Sequence, residues 1–281
     1  MNYGDIPAKY SGLKGSRVVV IPVPYDGTST WGKGADKGPS ALLDASANME
    51  LYDIETDSEP YTIGIYTDKP LKYKTPEEGA KVTEKKVGGF LDQGKLVCLL
   101  GGEHSVSAGA IFAAAKKFKK LSVLQLDAHS DMREEYHGSK FNHACVMARA
   151  KDVCPVVQVG IRSMDICEKP NIKKDRVFFA EKIRNNKNWI KDVVAKLTDE
   201  VYLTIDLDVF DPSIMPSTGT PEPGGLGWYE VLDLLKEVIS KKKLVGFDVV
   251  ELAPNPKEKS SDFLAAKLVY KILAYQFFNQ K

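Results

Sequence analysis

Leu121-Ser122-Val123-Leu124-Gln125-Leu126-Asp127-Ala128-His129-Ser130-Asp131 is an apolar run that ends in three ligand-type side chains spaced two apart. The run reads as a strand buried on both faces. In an extended chain the spacing predicts that Asp127, His129 and Asp131 project to one side. Two carboxylates and an imidazole crowded together are costly unless something positive lies among them. Two further strands end alike. Residues 201–208 close in Asp206 and Asp208, and residues 96–100 run through Gly101, Gly102 and Glu103 into His104. Three such strand ends predict one shared metal site.

Outward from these strands the chain alternates regularly. Strands are expected at residues 17–24, 156–160, 176–180 and 245–250, with a short one at 61–65. Helices are expected from Pro39, over 76–93 behind a Thr75 cap, over 108–118 behind a Ser105 cap, and near 144–150, 189–197 and 229–240. A last, amphipathic helix is expected over 262–278. Such alternation predicts an α/β fold, a three-layer αβα sandwich around a mostly parallel sheet. Ligands of such sheets bind beyond the carboxyl ends of the strands, where every candidate here falls. No repeat or linker interrupts residues 1–281, which read as one domain.

The net charge of +1 gives no electrostatic argument for nucleic acid or a membrane surface as partner. No apolar run reaches the length of a membrane span, and the start of the chain lacks a signal-type sequence. The four cysteines show no paired zinc or redox spacing, and Cys98 reads as a core residue. A reduced, cytoplasmic protein is expected.

The candidate ligands are His104, Asp127, His129, Asp131, Asp206 and Asp208. Their four carboxylates balance two divalent cations, as in dinuclear hydrolases. Oxygen-dominated ligation with two imidazoles and no cysteine suits Mn²⁺, with Zn²⁺, Co²⁺ and Fe²⁺ left open. Asp211 reads as a loop former beside Pro212, and His137 as a surface residue.

Five motifs carry a resemblance. They are Gly101-Gly102-Glu103-His104-Ser105, Asp127-Ala128-His129-Ser130-Asp131, Asp206-Leu207-Asp208-Val209-Phe210-Asp211-Pro212, the loop from Asp26-Gly27 to Gly38-Pro39, and Thr218-Gly219-Thr220-Pro221-Glu222-Pro223-Gly224-Gly225. Together they resemble the ureohydrolase family of arginase, agmatinase and relatives over nearly the whole chain. The resemblance implies a dinuclear manganese enzyme that hydrolyses a guanidino group to urea and an amine, with the six residues above as ligands. It further implies that Asp131 both ligates and handles the proton for the departing amine, and that His143 carries protons. By the same resemblance Glu251 grips the guanidinium, Thr220 lines its pocket, and the assembly is a trimer or hexamer.

For the substrate tail, Phe141-Asn142-His143-Ala144 shifts by one residue the asparagine that arginases carry before this histidine, and Glu222 resembles the agmatinase branch. Agmatine, giving putrescine and urea, is the expected substrate, with Glu134 and Glu135 reading its amine. Guanidinobutyrate, an aminopropylated agmatine and arginine are the alternatives. A deacetylase-type site, built around a single zinc, would lack the Gly-Gly-Glu-His motif. A non-catalytic ligand-binding relative would have no need of the full set with His143 and Glu251.

Overall fold

The computed structural model describes residues 1–278. Residues 279–281 of the expected domain lie outside the described residues. The chain runs β1 (Val18–Val23), α1 (Gly38–Ser46), β2 (Ile65–Thr67), α2 (Pro76–Asp92), β3 (Leu96–Gly101), α3 (Ser107–Lys117), β4 (Leu121–Leu126) and α4 (Val146–Lys151). It continues through β5 (Val156–Ile161), β6 (Val177–Phe179), α5 (Ala180–Ile183), α6 (Trp189–Lys196), β7 (Glu200–Asp206), α7 (Trp228–Lys241), β8 (Lys243–Val250) and α8 (Ser260–Phe278).

The eight strands form one sheet in the order β2-β1-β3-β8-β7-β4-β5-β6. Every strand pair among the described residues is parallel, so the expected mostly parallel sheet is wholly so. The inner strands are buried on both faces, as their uninterrupted Val, Leu and Ile content requires. Alternate residues feed two separate cores. Val18, Cys98, Leu124 and Leu203 pack toward α1, α6, α7 and α8, while Val19, Leu99, Val123 and Tyr202 pack toward α2, α3 and α4. Cys98 is a core residue, as expected.

Three local expectations are corrected. The strand expected at 61–65 is a 3-10 turn over Pro60–Ile63, and the strand starts only at Ile65, after Gly64 turns the chain at φ +81°. Ser105 does not cap the helix after β3. The side-chain cap falls one turn earlier, where the Glu103 carboxylate caps the 3-10 turn His104–Val106 by accepting from the backbone N–H of Ser105 at 2.8 Å. The last helix is not amphipathic but buried around most of its circumference. It lies against α1 and α7 and beneath the 50–63 segment. That position buries Lys271, whose ammonium meets Asp53 at 3.0 Å and Glu55 at 2.6 Å. Among the described residues no helix is long and apolar enough to cross a membrane.

Candidate dinuclear metal centre

All six expected ligands lie at or just beyond the carboxyl ends of three strands, β3, β7 and β4. His104 opens the 3-10 turn after β3, Asp206 ends β7, and Asp127 follows β4 directly. Gly102 makes this approach possible. A Cβ there would sit 1.9 Å from the carbonyl oxygen of Tyr25, and only glycine lets the β3 and β1 ends run this close.

The His104 Nδ1 atom lies 3.1 Å from Asp127 Oδ2, 3.0 Å from Asp131 Oδ2 and 3.5 Å from Asp206 Oδ2. His129 Nδ1 lies 2.9 Å from Asp208 Oδ2 and 3.6 Å from Asp127 Oδ1. Asp127 thus turns one oxygen toward each imidazole. Two groups of ligand atoms result, His104 with Asp127 and Asp206, and His129 with Asp127 and Asp208. A pair of adjacent groups sharing one carboxylate is what two neighbouring cations need. It departs from a single-ion centre.

Extended-chain alternation does not carry Asp131 there, contrary to expectation. Its backbone is left-handed, at φ +52°, and this turn swings the carboxylate onto His104. Outer contacts fix the rest. Asp206 Oδ1 accepts from the Asp208 N–H and Asp208 Oδ1 from the Ala128 N–H, both at 2.9 Å, which leaves each aspartate its second oxygen for the centre.

The hydrogen bonds behind His104 test whether a cation fits. Thr204 Oγ1 donates its proton to Asp248 at 2.6 Å, so it accepts from His104 Nε2–H at 2.9 Å. Nδ1 is then left with a lone pair, aimed at three carboxylates that can only accept, and it has no partner of its own. Lone pairs converging on one point in a buried site call for a cation. Electrostatics agree. Burial opposes charge on His104, yet Asp127, Asp131 and Asp206 favour a positive charge at its Nδ1, which a proton supplies where no cation does. His129 is driven the same way against burial by Asp208 and Asp127. Asp131 is raised to about 7 by burial and by the Asp127 charge.

Beneath the ligands runs a polar row that the sequence reading did not single out. Gln158, Gln125, Thr204 and Asp248 stand in register across β5, β4, β7 and β8. Gln158 donates to Gln125 at 2.6 Å, Gln125 to Asp127 Oδ2 at 2.7 Å, and Tyr202 to Asp248 at 2.8 Å. The signal was present in the sequence as single polar residues inside otherwise apolar strands.

A cavity of about 330 Å³ opens over the centre, lined among others by His129, Asp131, His143, Asp206, Thr220 and Glu251. Glu251 is buried, with φ +67°, and burial followed by the Glu103 charge pushes its carboxyl well above the usual range. One of its oxygens accepts from the His104 N–H at 2.8 Å, while Oε2 has no protein donor among the described residues. Burial first, and then the neighbouring His104 and His129, lower His143 to about 4.

Several expected residues stand elsewhere. Glu134 is bound to Arg149 at 2.9 Å and Lys151 at 3.2 Å, and neither it nor Glu135 lines the cavity. The mouth is formed instead by Trp31, Arg133, Tyr136 and Asp165, with Glu168 beside them. Asn142 is consumed locally, capping the turn that carries His143 by accepting from the Ala144 N–H at 3.1 Å. Asp211 holds its loop through the N–H groups of Ser213, Gly224 and Gly225, and His137 is exposed away from the cavity, both as expected.

The arginase-family sequence profile, described as "Arginase family", matches residues 16–274. The chain belongs to the arginase family. It is 41% identical over 273 residues to the N(1)-aminopropylagmatine ureohydrolase of Synechocystis sp., covering 92% of this chain and 88% of that protein. It is 34% identical over 267 residues to the agmatinase of Pyrococcus horikoshii, covering 93% and 92%. The solved agmatine ureohydrolase of Thermoplasma volcanium superposes with a TM-score of 0.86 at 31% identity, covering 96% of this chain and 93% of that one. This arginase-family chain is therefore a hydrolase of the agmatinase-like, amidine-cleaving kind. The all-parallel sheet is the fold it shares with that structure.

Proposed function

We propose that residues 1–281 form a single ureohydrolase domain that cleaves a guanidino group to urea and an amine, with agmatine to putrescine and urea as the reaction. The observation that carries the reading is Glu251. A buried carboxylate with one oxygen tied to His104 and the other open to the cavity is built to receive a cation directly beside the two ligand groups.

In this reading His104, Asp127, Asp131 and Asp206 would hold one Mn²⁺, and His129, Asp127 and Asp208 the second. Bound divalent ions supply Lewis acidity and a source of hydroxide near neutral pH. Glu251 orients the planar guanidinium through paired N–H donors, and Thr220 bounds its pocket. Asp131, whose carboxylate reaches the centre beside His104, would take a proton and return it to the departing amine. His143, half-buried in the cavity wall, passes protons between this site and solvent.

The tail follows from the mouth. Asp165 lies 3.3 Å and Glu168 3.9 Å from the single guanidinium of Arg133, so carboxylates outnumber cations where a substrate amine would emerge. The local commitment of Asn142 speaks against arginine. A second substrate, agmatine carrying an aminopropyl group, is favoured by the 41% identity to the enzyme named for it. A cytoplasmic setting agrees with four cysteines all free among the described residues. A homo-oligomer, trimer or hexamer, agrees with the exposed Trp31, Ile54, Ile166 and Tyr229.

The experiment is urea release by the Mn²⁺-loaded protein with agmatine, aminopropylagmatine, guanidinobutyrate and arginine compared at equal concentration. Agmatine fastest is the expected result. Aminopropylagmatine fastest would replace the substrate and keep the chemistry. Urea from none of the four would overturn the guanidine reading.

A further inference from the structure

Glu103 is fully buried one residue before His104, yet none of its contacts is with the ligand cluster. Its carboxylate accepts from the Ser105 N–H at 2.8 Å, the Ser105 hydroxyl at 2.9 Å and the Thr28 hydroxyl at 2.9 Å. Thr28 has one hydroxyl proton, and Glu103 takes it. Toward its other neighbours Thr28 Oγ1 can therefore only accept. Those neighbours are both on His143. Its backbone N–H lies 2.9 Å from the hydroxyl oxygen and its Nδ1 3.1 Å away.

An acceptor facing Nδ1 requires that Nδ1 carry the hydrogen. The lone pair is then on Nε2, which has no protein partner among the described residues on a ring that lines the cavity with Asp131 and Glu251. The logic mirrors His104, where Thr204 bound to Asp248 fixes the hydrogen on Nε2 and bares Nδ1. Two threonines, each anchored on a buried carboxylate, thus hold two histidines in opposite tautomers.

We propose that Thr28, anchored on Glu103, is a positioning residue that holds His143 as the Nδ1–H tautomer, so that Nε2 faces the cavity as a ready proton acceptor. The loop from β1 supplies this contact, and its approach to the 219 region, where the Gly32 N–H donates to the Gly219 carbonyl at 3.1 Å, seats Thr28 against the site. The inference rests on the reading of His143 as the proton carrier.

The test uses the full ¹⁵N-labelled chain without metal at pH 7. Imidazole ¹⁵N–¹H correlations resolve only four histidines, and His143→Gln assigns the His143 signals. The expected spectrum has a protonated Nδ1 and an unprotonated Nε2 for His143. Thr28→Val should give a tautomer mixture and lower kcat about tenfold or more with KM little changed, and Thr28→Ser should restore both. A wild-type His143 with its hydrogen on Nε2, the result if Glu103 were protonated and donated to Thr28, would overturn the proposal. So would Thr28→Val with unaltered tautomer and kcat. The expected tautomer together with no urea from any guanidine would remove the proposed function and leave the relay standing. Urea release with the opposite tautomer would remove the relay alone.

Discussion

The backbone N–H of His104 donates to the Glu251 carboxylate at 2.8 Å, and the Glu251 N–H in turn bonds the Gly102 carbonyl at 2.8 Å. The carboxylate proposed to face the substrate and the first candidate ligand of the centre are thereby fixed to one another across the ends of β8 and β3. Glu251→Gln keeps an acceptor for His104 but removes the charge. It should leave metal content unchanged and lower kcat/KM by on the order of 10²-fold, about 3 kcal/mol. Steady-state urea release paired with metal analysis checks both halves.

In the proposed centre the Thr204–Asp248 pair, by taking the His104 Nε2–H, leaves Nδ1 free to act as a ligand. Asp248→Asn and Thr204→Val should each weaken binding at the His104 side of the centre by roughly 10–100-fold, with Thr204→Ser close to wild type. Competition against a chromophoric chelator measures this. Stripping the ions from the wild-type chain should lower its melting temperature, and readdition of two equivalents per chain should restore it. Restoration complete at one equivalent would contradict a dinuclear centre.

Asp165 at the mouth and Glu134 outside it make opposite predictions. Glu134 is held by Arg149 and Lys151, so Glu134→Gln should leave KM for agmatine within about twofold. Asp165→Asn retains the turn cap on Cys167 and loses only charge. It should raise KM for amine-tailed substrates about three- to fivefold, the scale of an exposed ion pair, without affecting guanidinobutyrate.

Lys271 predicts a pH-dependent stability. Burial alone would raise Asp53 and Glu55, but the Lys271 ammonium with Thr56 holds Asp53 below its ordinary range, and Lys236, then Lys271 and Tyr275, hold Glu55 down to about 2. Carboxyls depressed on folding stabilise above their unfolded values near 4, and that stabilisation is lost as pH falls through the folded ones. Lys271→Met should therefore cost about 3 kcal/mol at pH 7. The difference from wild type should shrink steadily between about pH 4.5 and pH 2. Urea denaturation of both proteins at several pH values reads it out.

Much of this was legible because buried parallel strands are written in an uninterrupted apolar code and their ends break it sharply. Asp127, Asp206 and His104 each follow such a run, and all three meet. What escaped is what one-dimensional spacing cannot hold. The turn at Asp131 depends on a left-handed backbone, not on alternation. Glu134 looked like part of the mouth because nothing in the local sequence reveals that Arg149 and Lys151 reach back to it. Asp165 and Glu168 reach the mouth from beyond β5, at a distance in sequence that no motif spans. Tyr61 to Ile65 has the β-branched and aromatic character of a strand, but the turn at Gly64 comes first.

The last strand to be synthesised, β8, lies between β3 and β7, in the middle of the sheet. Before it arrives the chain comprises two separate ribbons, β2-β1-β3 carrying His104 and β7-β4-β5-β6 carrying the aspartates and His129. Within the sheet only β8 bridges these ribbons, so the register that brings His104 Nδ1 to 3.1 Å from Asp127 depends on residues 243–250. Completion of the proposed two-ion centre therefore depends on the last strand of the sheet, which ties the geometry of the ligand cluster to the carboxyl-terminal part of the chain.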